Sequence, residues 1–550
     1  MRPILLDWLR RKSLSRCAAR FCSSKEAMVP STSKLQIKPL AMSDIPVEKA
    51  SLSRGLIMNK FEKDFLIYPE YTDTDDVKTI QGFTEVLKKT LALTVDREEL
   101  EKEGSLTDAV KGALNDSTIF AALSPSQYGG LGLGFKDRVK VFEDLSIDWN
   151  IFANVESVNA LVNTLLLFGS EQLKEKYFPL ITAGKLRPLI KEKHYSCYLI
   201  DRSELGENDK WEFKRDETTG LKAFDGRQLL TVYATLLGNW EIPVYKAQAQ
   251  AFLLFRSLFG HLNPVLQPHI QHNAVLSDES GFQYAATEFA LKVYILESAA
   301  YYMAGLLDEH LPVVLDIENA LIHLTRDVLR HSIITSVDLA GLRAIDPAFH
   351  FEKDMRDVTT LLSRDESIVE SVAIAALSSW SSVGHKRITN SLKRLFRQEK
   401  LEDELRNPKL THYVAEHAHP SLQMACQDLE FSLSRVNNVI SKLIAEKGKN
   451  VQEDFSTLER LVTVIQNHLV MVAVISRSSR SYSIGLRNSD IEIAWATFIC
   501  SRASRENWFL LEALNDYFGL IRLNPSLLNV GKAIFDMGGY QIESPIERNW

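Results

Sequence analysis

The chain has few residues of the kinds that mark specialised classes of protein. Of its 550 residues, only five are cysteine, 17 are proline and 25 are glycine. The absence of a CxxC pair excludes a disulfide scaffold and a zinc ribbon, and so few prolines and glycines exclude a low-complexity chain. Basic residues are also a minority, with 64 Lys and Arg against 71 Asp and Glu, a net charge of −7. This acidic balance argues against nucleic acid as the main partner.

Long apolar runs are missing as well. The best candidate for a membrane span is the uncharged stretch 461–476, which contains Gln466, Asn467 and His468. Because a span needs about 20 apolar residues, this stretch predicts a buried helix and leaves at most a peripheral contact with a membrane.

The first 35 residues, in contrast, are rich in positive charge. They contain eight basic residues, two acidic ones and several serines, with an apolar cluster around Leu5 and Trp8. Such an acid-poor, Arg-rich segment is typical of a mitochondrial transit peptide, although a disordered basic arm has the same composition. Without residues 1–35 the remaining chain has a formal charge of about −13, which suits the mitochondrial matrix.

Most of the remaining chain has the periodicity of amphipathic helices. We predict helical segments over 75–122, 139–168, 171–178 (ending at Pro179), 283–307, 317–338, 366–380, 412–447, 453–478 and 488–520. Residues 186–245 differ, because aromatic and apolar residues alternate there with Gly and Asn turns, as in strands and hairpins. The predicted domains are a transit peptide (1–35), an N-terminal helical domain (36–185), a β domain (186–245), a central bundle (246–400) and a C-terminal helical domain (401–550).

Four segments carry a family resemblance. They are the glycine-rich turn 125–133, the stretch 166–184, the helical stretch 288–305 and the segment 476–490. Together they resemble the acyl-CoA dehydrogenase family, and 476–490 is similar to the extra C-terminal domain of its very-long-chain branch. The resemblance implies a mainly α fold of acyl-CoA dehydrogenase-like helical bundles, a reduced central β domain and an extra C-terminal helical domain.

The resemblance also implies where a catalytic base would lie. In this branch a Glu in an FEGTN-type loop removes a proton from the acyl-CoA. The loop follows a helix with an ER…RD pattern, which Glu352-Lys353 and Arg356-Asp357 match here. Here Asp365 falls on the base position, Glu366 follows it, and the Gly-Thr-Asn is absent. A displacement of about 1 Å can lower a catalytic rate roughly 10²-fold, so the shorter Asp would be a poor base. Both acids can equally serve to cap a helix N-terminus.

The residues implied for binding FAD are also changed. The family's TEPxxGSD segment, which hydrogen-bonds the flavin ring, should follow Gly184, but Lys185 begins a basic stretch without it. The β domain has only about 60 residues, roughly half the size of the family's domain. A Gly-Gly pair near the FAD pyrophosphate is replaced by Ala340-Gly341. FAD is therefore the cofactor that the resemblance implies, and weak or absent binding is expected.

The remaining candidates are weaker. Arg477, Arg480 and Arg487 form a basic group that can hold an acyl-CoA phosphate or an acidic partner, or only favour a helix C-terminus. His417 and His419 lack a convergent third ligand, so we predict no metal site. The glycines at 129–134 lack the preceding strand of a dinucleotide fingerprint and predict a turn.

Taken together, these changes predict a catalytically degenerate member of the family that works by binding. The resemblance implies a role in assembling respiratory complex I, with assembly proteins or intermediates as partners and a homo-oligomeric state. The alternative is an active FAD-dependent dehydrogenase of long-chain acyl-CoA, with Asp365 or Glu366 as the base. A third hypothesis is a regulator that binds acyl-CoA without oxidising it.

Overall fold

A computed structural model describes most of the second of two compact units, residues 50–550. The described residues are 52–58, 61–71, 74–186, six strands between 188 and 239, 279–308, 315–341, 345–347, 350–358, 366–381, 407–408, 410–447, 451, 454–515, 524–539, 542 and 546. The proposed transit peptide lies outside them.

The N-terminal part of the unit is helical. Its helices are α1 (Leu52–Met58), α2 (Thr74–Thr94), α3 (Arg97–Glu103), α4 (Asp108–Asp116), α5 (Ile119–Leu123), α6 (Phe135–Leu145), α7 (Trp149–Phe168) and α8 (Glu171–Thr182). The predicted helical stretch 75–122 is therefore four helices. The breaks occur at capping residues, because the Asp96 carboxylate accepts hydrogen bonds from the amides of Glu98 and Glu99, and the Thr107 hydroxyl caps α4.

The prediction that Pro179 ends a helix is wrong. Helix α8 continues through Pro179 to Thr182. A proline inside a helix lacks one amide donor, but Tyr177 and Ile181 on the two sides of it are buried in the core. Their burial outweighs the lost hydrogen bond and keeps the last turn in place.

The glycine-rich segment after α5 is a turn, as predicted. The amides of Leu131 and Gly132 donate to the carbonyls of Ala121 and Ser124, which folds the segment back on the end of α5. A Cβ on Gly130 would lie 2.0 Å from the Ser124 carbonyl oxygen. The backbone approach therefore requires glycine at this position.

The segment predicted as strands forms two small antiparallel sheets. Strands β1 (Pro188–Lys193), β2 (Ser196–Asp201) and β6 (Thr235–Asn239) form the first, in the order β1-β2-β6. Strands β3 (Glu212–Asp216), β4 (Gly220–Asp225) and β5 (Gln228–Leu230) form the second in chain order. Residues Lys193 and Ser196 are paired, so only two residues connect β1 to β2.

Among the described residues, four helices follow the sheets and four more form the C-terminal part. They are α9 (Ser280–Asp308), α10 (Leu315–Ala340), α11 (Phe351–Val358), α12 (Glu366–Ser381), α13 (Gln423–Lys447), α14 (Phe455–Ser483), α15 (Ser489–Asn515) and α16 (Asn524–Asp536). The prediction of one helix from 412 to 447 is wrong at its start. Residues Val414–His417 and Pro420–Leu422 are 3₁₀ turns, because the backbone at 411–414 bonds to Glu430 instead of continuing a helix.

Helix α14 is at the centre of the bundle. It packs against α9, α10, α12, α13 and α15, and nearly every residue between Leu461 and Ser476 is buried, which confirms the predicted buried helix. By length and composition α14 could also cross a membrane, but 83% of its most apolar window is buried inside the protein.

Candidate functional site

The structure places the two candidate bases at the start of α12. Glu366 is the first residue of that helix, whereas Asp365 and the loop before it lie outside the described residues. Neither side chain is described, so their assignment as base or as helix cap stays a prediction. What the structure does describe is the preceding helix α11, which holds one end of the loop.

Helix α11 is attached to the N-terminal helices by a buried ion pair. The Lys353 Nζ lies 2.5 Å from Asp148 Oδ2 and 3.3 Å from Asp357 Oδ2. Asp148 is fully buried and also caps α7 by accepting the Asn150 amide. Because buried charges are costly unless they are paired, this contact requires α11 to stay in one position.

A second cation strengthens the attachment. The Arg97 guanidinium, at the start of α3, donates to the Asp354 carboxylate, and its Nε lies 3.7 Å from Asp148 Oδ2. Burial raises the pKa of Asp354 to about 6 despite the neighbouring Arg97 and Lys353. The candidate base loop thus follows a helix that is connected by charge to two N-terminal helices.

The residues that correspond to the family's Gly-Gly pair end a helix. Ala340 is the last residue of α10, and Gly341 has a φ of +57°. This left-handed conformation directly after a helix favours glycine. Gly341 therefore has a structural reason to be glycine that is independent of a pyrophosphate.

The connection between β1 and β2 bears on the fit of a flavin. The stretch after Gly184 contains no TEPxxGSD, and β1 returns to β2 through two residues. The side chains of these strands lie outside the described residues, so weak or absent FAD binding stays a prediction, and we derive no chemical step through FAD.

Arg477 forms contacts with other residues of the same chain. Its guanidinium nitrogens lie 2.9 Å from Glu297 Oε2 and 3.5 Å from Glu492 Oε2, and its Cζ is 4.4 Å from the centre of the Tyr294 ring. Burial acts to lower the pKa of Arg477, but the two carboxylates and the neighbouring tyrosines raise it above its ordinary value. These contacts join α14 to α9 and α15.

The other two arginines of the predicted group have different surroundings. The Arg480 Nε lies 2.8 Å from Glu70 Oε2 near the protein surface, whereas Arg487 is exposed in the connection between α14 and α15. Arg477 and Arg480 share one helix and both act electrostatically on Tyr68. Of the three, Arg487 is the most accessible to a phosphate or to an acidic partner, and its role in binding stays a prediction.

Several buried polar residues did not stand out in the sequence. Burial raises the pKa of Glu156 on α7 to about 8, so this carboxyl is neutral near pH 7. Beside it, the Arg138 guanidinium donates to the side-chain oxygens of Asn159 and Asn163 at 3.0 and 2.5 Å. The sequence signal for Glu156 was weak, since it is the one acidic residue of a helix that also carries four Asn residues.

A small cavity lies next to this polar group, between α6, α7, α9 and α10. Its walls include Arg138, Asn159, Asn163, Phe142, Met303 and Leu321. The volume of about 40 Å³ is room for a few water molecules. It is far below the roughly 300 Å³ of a small-molecule site, so this cavity does not hold a flavin or an acyl-CoA. Among the described residues, no group of three or more His, Cys, Asp or Glu is arranged to bind a metal ion.

Two segments of the chain match known protein domains. Residues 78–185 match the acyl-CoA dehydrogenase N-terminal domain, and residues 420–540 match the ACAD9/ACADV C-terminal domain. Both matched domains are domains of acyl-CoA dehydrogenases. The second match is to the very-long-chain type, as the sequence of 476–490 predicts.

A solved structure supports the same fold. The chain resembles the acyl-CoA dehydrogenase complexed with FAD from Bacillus anthracis, with a TM-score of 0.60 and 14% sequence identity, over 89% of this chain and 99% of that chain. This likeness confirms the predicted fold class of acyl-CoA dehydrogenase-like helical bundles. At 14% identity it concerns the fold and not the activity.

Two further solved structures match about half of the chain. The glutaryl-coenzyme A dehydrogenase glutaryl-CoA complex matches 53% of this chain and 92% of its own, with 14% identity and a TM-score of 0.37. The FAD complex of PigA matches 56% and 98%, with 13% identity and a TM-score of 0.41. Scores below 0.5 do not establish a common fold.

Proposed function

We propose that this protein is a mitochondrial member of the acyl-CoA dehydrogenase family that has lost effective catalysis and acts as a binding factor in the assembly of respiratory complex I. The observation that carries the proposal is the sequence after Gly184, which lacks the family's TEPxxGSD segment and continues into two short strands joined by two residues. Without a held flavin, the β-hydrogen of an acyl-CoA has no hydride acceptor.

The candidate base supports the same proposal. A dehydrogenase of this family needs a carboxylate positioned at the α-carbon of the acyl-CoA. Asp365 is one methylene shorter than the family's Glu, and Glu366 begins a helix, where a carboxylate is stabilised in a capping role. Neither residue has the glycine-containing loop that would position it.

The assembly role rests on the C-terminal half of the chain. The matched C-terminal domain and the motif at 476–490 are retained, whereas the segments implied for the flavin and the base are changed. We therefore assign the partner surface to residues 401–550, in the mitochondrial matrix or next to the inner membrane. Acyl-CoA oxidation is the competing function, and the first test separates the two.

The first test measures flavin and turnover in the purified full-length protein. We expect a preparation without the absorbance of stoichiometric flavin, even after incubation with excess FAD, and no reduction of an electron acceptor with palmitoyl-CoA. A stoichiometric flavin spectrum that palmitoyl-CoA bleaches would instead establish the dehydrogenase.

The second test asks whether assembly requires the candidate base. Depletion of the protein should lower assembled complex I before it lowers fatty-acid oxidation. Re-expression of the Asp365→Asn, Glu366→Gln double variant should restore complex I to the level that the wild-type protein restores. If the variant fails to do so while it is expressed at the same level, assembly without catalysis is contradicted.

A further inference from the structure

The last helix of the protein has an apolar face that its own chain does not cover. Apolar side chains recur on α16 at the spacing i, i+3, i+7 and i+8, and neighbouring positions extend the face. Phe535 is 86% exposed and Leu527 is 69% exposed. The other exposed apolar residues are Leu528, Val530, Ile534 and Met537.

The two charged residues of α16 lie on the opposite side of the helix. Lys532 and Asp536 are four residues apart and carry opposite charges. The helix therefore has no net charge to attract an acidic or a basic partner. Helices that lie on membrane surfaces carry several Lys or Arg residues on their polar side, and α16 has one Lys.

A glycine lies within the apolar face. At Gly531 no atom is found within 4 Å of the position of a Cβ, so the space next to it is open. A glycine in an exposed helix interior destabilises that helix relative to alanine. A glycine at this position lets the axis of another helix come close, as small residues do at helix–helix contacts.

From these observations we propose that a second copy of this chain covers the face, with two α16 helices packed antiparallel about a two-fold axis at Gly531. In this arrangement Phe535 of one copy lies against Leu527 of the other, and Ile534 lies against Leu528. The same patch on both copies is then self-complementary, as a closed two-fold interface requires. The proposal is independent of the proposed assembly function.

The exposed apolar area is large enough for such a contact. The six side chains expose on the order of 600 Å² in one copy, so a pair would bury roughly 1,200 Å² in total, which is the lower limit of stable, specific interfaces. A dimer that depends on this contact alone would dissociate at low protein concentration. If copies of the chain also associate through another surface, the α16 contact would join those oligomers into larger ones.

The test compares the mass of three full-length proteins in solution by analytical ultracentrifugation. We expect the wild-type protein to associate, and we expect Phe535→Asp to raise the dissociation constant at least tenfold. Leu93 on α2 is 90% exposed and lies far from α16 in the sequence, so Leu93→Asp is the matched control and should leave the mass unchanged. Circular dichroism checks that all three proteins are folded.

A substitution at Gly531 distinguishes close packing of two helices from non-specific hydrophobic association. Gly531→Leu enlarges the apolar face and fits the open space in the single chain, but it would hold two helix axes apart. We expect it to weaken association. Unchanged or stronger association of this variant overturns the proposal, and so does an unchanged mass for Phe535→Asp. Tighter binding of Gly531→Leu to phosphatidylcholine–cardiolipin vesicles, with no change in mass, would overturn it in favour of a lipid surface.

Discussion

Lys353 and Asp148 form a buried ion pair between the helix that precedes the candidate base loop and the N-terminal helices. The Lys353 Nζ lies 2.5 Å from Asp148 Oδ2, and both side chains are at most 5% exposed. The residues are 205 positions apart in the chain, so the pair forms only when the unit is folded. It is thus a marker of the tertiary structure that joins α11 to the start of α7.

Removal of the lysine should therefore be strongly destabilising. In Lys353→Met the Asp148 carboxylate stays buried and loses the cation that lies 2.5 Å from its Oδ2, and we expect a loss of about 3 kcal/mol in the free energy of unfolding. Urea denaturation followed by circular dichroism measures it. The matched control is Lys102→Met, since Lys102 and Glu98 form an exposed pair and its loss should cost below about 1 kcal/mol. Equal effects of the two variants would contradict a structural role for the buried pair.

Arg477 should stabilise the protein whether or not a partner binds nearby. Arg477→Met leaves Glu297 and Glu492 without their cation, so we expect a loss of about 2 kcal/mol. Arg487→Met is the matched control, because Arg487 is exposed and a surface substitution usually changes stability by less than about 0.5 kcal/mol. Thermal and urea denaturation of both variants distinguish the roles, and an unchanged stability of Arg477→Met would show that its contacts contribute little.

Glu430 should be essential for the conformation before α13. Its Oε1 accepts hydrogen bonds from the amides of Thr411, His412 and Tyr413 at 2.5, 2.6 and 3.1 Å, and its Oε2 accepts the Val414 amide at 3.2 Å. In Glu430→Gln one acceptor becomes an NH₂ donor that faces an amide donor. We expect a loss of about 2 kcal/mol by urea denaturation.

The control for Glu430 is Glu416→Gln. Glu416 lies on the 3₁₀ turn that follows and is exposed, so the same chemical change should have little effect on stability. Hydrogen exchange adds a local measurement. The amides of 411–414 should exchange faster in Glu430→Gln than in the wild-type protein, and unchanged protection would contradict the assigned contacts.

His468 should make stability depend on pH in the acidic range. Its Nδ1 lies 3.1 Å from the Leu56 carbonyl and its Nε2 lies 2.7 Å from Ser432 Oγ, so the neutral imidazole donates to the first and accepts from the second. Burial lowers the pKa of His468 to about 4 from an ordinary value of 6.5. The unfolded chain therefore binds the proton more readily, and stability falls as the pH decreases from about 6.5 to 4.

The contribution of this histidine is about 3 kcal/mol across that range. Urea denaturation at several pH values should show a shallower dependence for His468→Gln than for the wild-type protein, because the variant has no imidazole to protonate. His331→Gln is the control, since His331 is exposed, and its pH dependence should match the wild-type curve. Identical curves for His468→Gln and wild type would exclude His468 as the source.

The helices could be predicted from the sequence because their apolar positions repeat locally. Helix α9 was predicted over 283–307 and extends over Ser280–Asp308, and α12 was predicted over 366–380 and extends over Glu366–Ser381. The errors were at ends that distant residues decide. Helix α8 continues past Pro179 because Tyr177 and Ile181 on its two sides are buried, and α13 begins after 422 because Glu430 binds the backbone before it.

Only part of the candidate site could be predicted from the sequence. The changes at Asp365, Glu366 and Ala340 are visible in the order of residues, but the two-residue return from β1 to β2 appears only in the pairing of the strands. Arg138 and Glu430 were missed because nothing in their local sequence shows that they are buried, and Glu156 offered only the weak signal of a lone acid on its helix. Burial depends on elements that are far apart in the chain.

By itself the sequence determined the helical fold, the position of the small β segment and the family resemblance, because periodicity and short motifs are local properties. Only the tertiary structure decided which partner each charged side chain contacts and how far it is exposed to solvent. Three arginines that are close in the sequence have three different surroundings, since Arg477 meets Glu297, Arg480 meets Glu70 and Arg487 faces solvent. The physical reason is that the pairing and solvation of a charge depend on residues that folding brings from other parts of the chain.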